Sequence, residues 1–446
     1  MSSNVYTDGD FYDSWVNNSY TIEVMRPSSQ ANLYYTGTVK KLSIDFNTDY
    51  THSHYKSFTD NDEVSDATGS STLINSYNNV KNSLWAAKLI LSYPIWKGNL
   101  SIGSEYVIID RLADYVNEQL PEYSSKVDID ETNLALFAEY QFATKIGNFN
   151  LGMRFEDASY DYITDDVRND EMSRTYKQWF PSATYSNTFG KVTTLLSYTS
   201  KVVRPTYSQL SNSYYYGNSM TLQTGNPYLN PTIKKTLSAV AIWKKVQASI
   251  SYTNSKDAII YWADSYENDS KVTVISNTNI DKLPSIMANI SYSPKIGIWN
   301  PEISGGVTKD KIDVEELEMI ENLEIPLFFS SLNNTFELPN DFMVNLDFAF
   351  QSKGCYQAGY CNKATYNLGF GISKHFFNKA LQVKLGVSDI LNSAGNFASL
   401  TLPKVTLKQS QKYDSRVASI NIRYNFNSAK SKYKGNSAGQ DAMNRF

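Results

Sequence analysis

The chain has 446 residues, a formal net charge of −4, 41% hydrophobic residues and 14% aromatics, with 33 Tyr and 7 Trp. The acidic balance argues against a nucleic-acid partner, whose phosphates need a basic face, and the length exceeds one sandwich domain, so a soluble reading needs two or three domains. A mean hydropathy of −0.41 with so many tyrosines is odd for a soluble core; it is expected where half of each strand lines a wet lumen and aromatic girdles sit at two membrane interfaces.

No apolar run approaches the ~20 residues that a spanning helix needs. The best candidate, Leu84 to Trp96, is broken by Lys88 and Pro94. The chain opens Met-Ser-Ser-Asn-Val-Tyr-Thr-Asp-Gly-Asp, without a basic or an apolar segment of an export signal.

Residues 1–30 form an N-terminal segment with a short strand predicted at Tyr20 to Met25. A first hairpin runs from Ala31 to Val39, turns at Lys40-Lys41, and continues with Leu42, Ile44, Phe46 and Tyr50 alternating with Ser43, Asp45, Asn47 and Asp49. Ser83 to Ile95 returns, turns at Lys97-Gly98-Asn99, and goes out again through Leu100, Ile102 and Tyr106. Leu134, Leu136, Ala138, Tyr140 and Phe142 share one face, and after a Gly147-Asn148 turn so do Phe149, Leu151, Met153 and Phe155. Further hairpins turn at Phe189-Gly190, Lys244-Lys245 and Pro339-Asn340-Asp341. Leu381, Val383, Leu385 and Val387 then alternate with Gln382, Lys384, Gly386 and Ser388. The last strand, Arg416 to Phe426, sets apolar Ile420, Ile422, Tyr424 and Phe426 against polar Asn421, Arg423 and Asn425.

Side chains of a strand alternate faces with a period of two, so each of these strands has one apolar and one polar face. About 17 strands are predicted, many of the ~9–11 residues that a tilted transmembrane strand requires. Short turns alternate with long polar loops, the asymmetry of a barrel with a periplasmic and an extracellular side. Asp45, Glu105, Glu139, Arg154, Asp347, Lys384 and Arg423 fall on the inner face. Such charges are costly in a dry core and cheap in a wet lumen. The predicted fold is all-β, a transmembrane antiparallel β-barrel over residues 31–427, with a polar C-terminal tail at 428–446 lying in the periplasm. An odd strand number leaves an open edge that lipid does not tolerate, so further strands and an export signal are expected before Met1.

The most specific wording is Arg204-Pro-Thr-Tyr-Ser-Gln-Leu210, followed by Thr224-Gly-Asn-Pro-Tyr-Leu-Asn-Pro231. With Gly152-Met153-Arg154-Phe155-Glu156, Pro181-Ser182-Ala183 and the tail Lys430-Ser431-Lys432-Tyr433-Lys434-Gly435 ending Asn444-Arg445-Phe446, the chain resembles the outer-membrane β-barrel family related to TonB-dependent receptors, of the type common in Bacteroidota. The resemblance spans nearly the whole chain in order. It implies location in the outer membrane of a Gram-negative bacterium and a barrel of about 22 strands with an N-terminal plug. It also implies uptake of a small ligand or oligomeric nutrient, powered through the TonB system. The sequence corresponds to the C-terminal barrel portion; the plug and the TonB contact segment have no counterpart in it. A plug-less porin or surface-binding barrel, an outer-membrane hydrolase and a soluble multi-domain β protein are the alternatives.

Cys355 and Cys361 fall in the connection between two strands, and in an oxidising compartment they are candidates for a loop disulfide. His52 and His54 share a strand face and could hold a metal, but they continue the lipid-facing positions Phe46 and Tyr50 and no third ligand is evident. His375 is a lone histidine near a turn. The acidic stretches Asp60 to Asp66, Asp161 to Glu171 and Asp310 to Glu324 lack the ordered spacing of a calcium loop and read as solvated loops. Tyr207 and Tyr214 to Tyr216 are candidates for an aromatic ligand platform at the barrel mouth. No nucleophile elbow, phosphate-binding glycine loop or zinc pattern is present. No catalytic residue, cofactor or metal is therefore assigned, and no individual ligand-binding residue is named.

Overall fold

The structure, a computed structural model, describes residues 2–7, 10–65, 68–312, 324–356, 359–401, 406–412, 414–426 and 437–446. The chain opens with β1 (Ser2–Thr7), β2 (Asp10–Met25), β3 (Ser28–Val39) and β4 (Leu42–Ser65). Five long strands follow: β5 (Ser71–Ile95), β6 (Gly98–Asn117), β7 (Ser125–Thr144), β8 (Gly147–Thr164) and β9 (Val167–Phe189). After β10 (Val192–Val203) comes a segment carrying β11 (Tyr215–Asn218) and β12 (Thr221–Gln223). The wall resumes with β13 (Thr232–Trp243), β14 (Val246–Tyr266), β15 (Asp269–Tyr292), β16 (Trp299–Asp310), β17 (Leu327–Leu338) and β18 (Phe342–Gln351). Next come β19 (Gly354–Tyr356), β20 (Gly359–Cys361), β21 (Thr365–Phe376), β22 (Leu381–Val387), β23 (Gly395–Thr401), β24 (Thr406–Lys412) and β25 (Ala418–Tyr424). The regular helical pieces among the described residues are single turns, Pro121–Tyr123 and α1 (Gln440–Met443).

Sequential strands pair antiparallel around a 21-stranded sheet, while β19, β20, β23 and β24 form a separate four-stranded sheet. β2 and β3 share one flank of β4, separated at Arg26 and Pro27. Counting them as one position, and leaving out β1, β11 and β12, the wall has 17 positions.

The wall is strongly curved, and one short segment proves it. The Ser219 N–H donates to Glu63 on β4 at 2.8 Å, and three residues later Leu222 on β12 pairs with Val274 on β15. In a flat sheet the nine steps from β4 to β15 would separate them by about 43 Å. Three residues span at most about 11 Å. Residues 204–231 therefore lie on the inner side of the curved wall.

The two faces follow from the alternation. Leu134, Leu136, Leu151, Met153, Leu237, Ile250, Ile286, Ile290 and Phe370 are exposed apolar side chains on the outside. Rings mark the short-turn end: Tyr140, Phe142, Phe149 and Tyr185 stack in succession at 5.2, 5.1 and 5.1 Å between centroids. This is the band and girdle of a lipid-facing wall. Leu84, Ala86, Val107, Ile109, Val127 and Ile129 point the other way and are buried with Tyr207, Leu210 and Leu229 of the inward segment.

Several strands run far beyond the membrane. β4 has 24 residues and β5 has 25, against the ~9–11 that spanning requires. Consequently Asp60–Ser65 belongs to β4, and Asp161–Glu171 to β8 and β9 around a tight turn at Asp165 and Asp166. Both turn residues have positive φ, 50° and 64°, the hand that matches strand twist in a two-residue hairpin. These two acidic stretches, read from sequence as loops, are thus strand extensions: polar side chains hide the alternation, but their backbones pair. Asp66 and most of Asp310 to Glu324 lie outside the described residues. β2 likewise extends the strand predicted at Tyr20 to Met25 back to Asp10.

Charge placement tests this assignment of faces. Leu136→Arg on the lipid side is expected to destabilise the bilayer-inserted protein by about 2–4 kcal/mol, whereas Gln141→Arg on the opposite face of the same strand should cost under about 1 kcal/mol. Urea titrations in lipid vesicles read the difference; equal costs would reverse or abolish the two faces.

Candidate functional site in the lumen

The inner face of β6, β7 and β8 carries a lattice of opposite charges. Register places Glu105, Ala135 and Glu156 on one rung across three strands. Fully buried Ala135 is small enough to leave the space between the carboxylates open. Arg154 fills it, donating through Nε to Glu156 at 2.6 Å and through a terminal nitrogen to Glu105 at 3.0 Å. Arg204, the first residue after β10, donates to the other oxygen of Glu156 at 2.6 Å and lies 3.9 Å from Glu131 on β7.

Glu131 is the centre of the lattice. Both its oxygens accept from one nitrogen of Arg445, at 2.8 and 2.7 Å, and one accepts from the Tyr207 hydroxyl at 3.1 Å. Arg445 also donates through Nε to the Pro205 carbonyl at 2.9 Å. The guanidinium carbons of Arg445 and Arg111 lie 4.4 and 5.1 Å from the Tyr207 ring centroid, at cation–π range. Phe446 stacks on Tyr207 at 5.7 Å. Burial, the largest single influence, pulls the Arg445 guanidinium toward its neutral form, but the charge and hydrogen bonds of Glu131 together with Tyr207 and Tyr160 outweigh it and hold the pKa above the ordinary arginine value. Burial pushes the Tyr207 phenol up. A residual cavity of ≈ 10 Å³ beside Glu131, Tyr160, Tyr176 and Arg204 has room for about one water.

Residues 437–446 are thus inside the barrel, not in the periplasm. A polar tail reads as solvated, and its partners are scattered over β4 to β7. Tyr207, read as part of an exposed platform, is 2% exposed. Tyr214 to Tyr216 also pack inward: Tyr214 against Tyr123 and Tyr266, Tyr215 against Tyr115, and Tyr216 through its hydroxyl to Glu63 at 3.0 Å. The Arg204-to-Pro231 wording is therefore the inward segment itself. Glu131 drew no notice in the sequence. The signal for it was present, since it lies on the same face of β7 as Ala135 and Glu139, in step with the inner-face set.

His52 and His54 lie on the β4 extension, bonded to Ser83 at 3.1 Å and Asn79 at 2.8 Å. His375 sits on β21, beside the 377–380 turn. Cys355 lies opposite Tyr360, and Cys361 opposite Gly354. One residue out of step, the two side chains point to opposite faces of the β19–β20 hairpin. Joining them requires the hairpin to slip by one residue.

A curved antiparallel wall with a lipid-facing apolar band and a charged, filled lumen defines a transmembrane β-barrel of the outer membrane. The sequence profile of the outer membrane protein beta-barrel family matches residues 36–424, and the chain belongs to that family. Among solved structures it is similar to the copper transporter OprC (TM-score 0.67, 13% identity, 95% of this chain and 71% of that one). It is also similar to the ferric-catecholate import receptor Fiu from E. coli K12 (0.54, 12%, 87% and 65%) and to FpvAI in its complex with pyocin S2 (0.56, 13%, 93% and 58%). The chain spans about two thirds of the length of these structures. At such identities the likeness is one of fold. No match was found among curated proteins. By name, two of these structural neighbours are a copper transporter and an import receptor.

Two measurements check the site. Glu131→Ala leaves Arg445 buried without its carboxylate, and is expected to cost about 3–5 kcal/mol. Lys177→Ala, which breaks an exposed pair with Asp157, should cost under about 1 kcal/mol. Guanidinium titration of the refolded barrel compares them. Alkylation of the denatured, unreduced protein is expected to modify both Cys355 and Cys361; a mass lacking both adducts would place them in a disulfide.

Proposed function

We propose that this chain forms most of the wall of a ligand-uptake receptor of the outer membrane. In the whole protein, further strands complete the barrel, an N-terminal plug closes it, and the TonB system powers passage. The cargo is a small ligand or an oligomeric nutrient, and the chain performs no chemistry on it. The observation that carries this reading is the filled lumen: the inward segment 204–231 and the charge lattice occupy space that a freely open porin leaves to water. The open edges support it too. Among the described residues β25 pairs only with β22, and β3 only with β4, and lipid requires such edges to be covered. Membership of the outer membrane protein beta-barrel family over residues 36–424 agrees with it.

The test is the intact mass and N-terminal residue of the native protein in purified outer membranes. The expected species is larger than this chain by a plug and several strands, with a processed N-terminus. A native species beginning at Met1 would end the TonB-powered reading in favour of a passive or surface-binding barrel.

A further inference from the structure

The last ten residues are held as a ligand is held. Ala438 is fully buried, and its N–H, like the Ser437 hydroxyl, donates to Asp49 on β4. The Gly439 N–H donates to Glu105 on β6 at 3.2 Å. A Cβ on Gly439 would lie 2.7 Å from the Ala86 Cβ, and its φ of +67° already favours glycine. One helical turn, α1, carries Met443 to Thr51, with sulfur and hydroxyl oxygen 3.3 Å apart. Arg445 and Phe446 then close on Glu131 and Tyr207.

The direction of travel is legible. Tyr424 pairs with Leu381 beside the 377–380 turn, at the short-turn end of the wall. Asp49 and Glu105 lie seven residues into their strands from that end, and Glu131 lies thirteen from the end of β7. Over residues 437–446 the tail therefore runs up the lumen, away from the short-turn end. It contributes no strand to the wall among the described pairings. Its side chains and backbone donors are taken up by groups from separate wall strands and from the inward segment.

We propose that Asp49, Glu105, Glu131 and Tyr207 form a lumenal receptor site for a peptide end that carries a guanidinium and an aromatic ring. The resident occupant is this chain's own Ser437–Phe446, and it is displaceable. Small residues at 438 and 439 fit under the wall, and one terminal nitrogen of Arg445 meets both oxygens of the Glu131 carboxylate. The Phe446 ring meets Tyr207. When the tail leaves, Glu131 keeps Arg204 at 3.9 Å but loses its two close contacts from Arg445, and the lumen then offers those carboxylate oxygens to any cationic peptide end. The proposal rests on the barrel fold and not on the uptake reading.

The experiment uses the full-length protein in isolated outer membranes, with Cys355 and Cys361 replaced by Ser. With Thr51→Cys and Met443→Cys, mild oxidation is expected to link the tail to β4 in most molecules; absence of the link overturns docking. Adding Arg445→Ala is expected to lower the linked fraction at least fivefold, with Arg445→Lys between; no change in either overturns the anchor. A second measurement leaves every anchor intact. With Met443→Cys alone, a soluble maleimide should label slowly. An excess of the peptide Ser-Ala-Gly-Gln-Asp-Ala-Met-Asn-Arg-Phe should accelerate labelling at least tenfold, and the same peptide with Ala in place of Arg should not. Labelling that is fast without peptide, or slow and indifferent to it, overturns a displaceable occupant.

Discussion

Backbone pairing in hydrocarbon is the constraint on which the rest depends. Inside a bilayer no water is at hand to satisfy an N–H or a C=O, so a spanning chain must pair them within its own sheet. That requirement makes the strands antiparallel neighbours in sequence order and keeps the hairpins tight. It also curves the sheet round on itself. Once the sheet is curved, the pleat sorts side chains into two environments: Leu134 and Leu136 to lipid, Glu131 and Ala135 to the interior.

The interior is not simply wet. The inward segment 204–231 and the tail 437–446 remove Glu131, Glu156 and Arg445 from solvent, and burying one such charge alone costs several kcal/mol. Alternation answers that cost. Arg445, Glu131, Arg204, Glu156, Arg154 and Glu105 form a chain in which each group has an oppositely charged neighbour on either side or at one end. Buried ion pairs of this kind add little net stability compared with apolar packing. Their effect is to fix which segment sits where: a shifted tail or loop would leave a charge without its partner.

The likeness to OprC, Fiu and FpvAI at 12–13% identity follows from the same physics. A lipid-facing position requires an apolar side chain, and a tight turn requires a residue that accepts its backbone hand. Neither requires a particular amino acid over most of the wall. Sequences therefore diverge while the fold persists. What differs from one barrel to another is carried by the lumen, where side chains meet specific partners.

The sequence by itself determined the wall. The period-two pattern at Leu134–Phe142, Phe149–Phe155 and Ile420–Phe426 is local and survives any tertiary arrangement, so strands, faces and the outward band could be read directly. Where both faces are polar, as in Asp161 to Glu171, the pattern vanishes and only pairing with a neighbour shows a strand. The hairpin register, invisible in a spacing of six, decided that Cys355 and Cys361 face apart. The lumenal site is wholly a product of tertiary structure. Glu131 and Arg445 are 314 residues apart, and nothing near either names the other. They meet because curvature brings the inner faces of β4 to β7, the segment after β10 and the chain's last ten residues into one enclosed space, where low dielectric makes opposite charges choose each other.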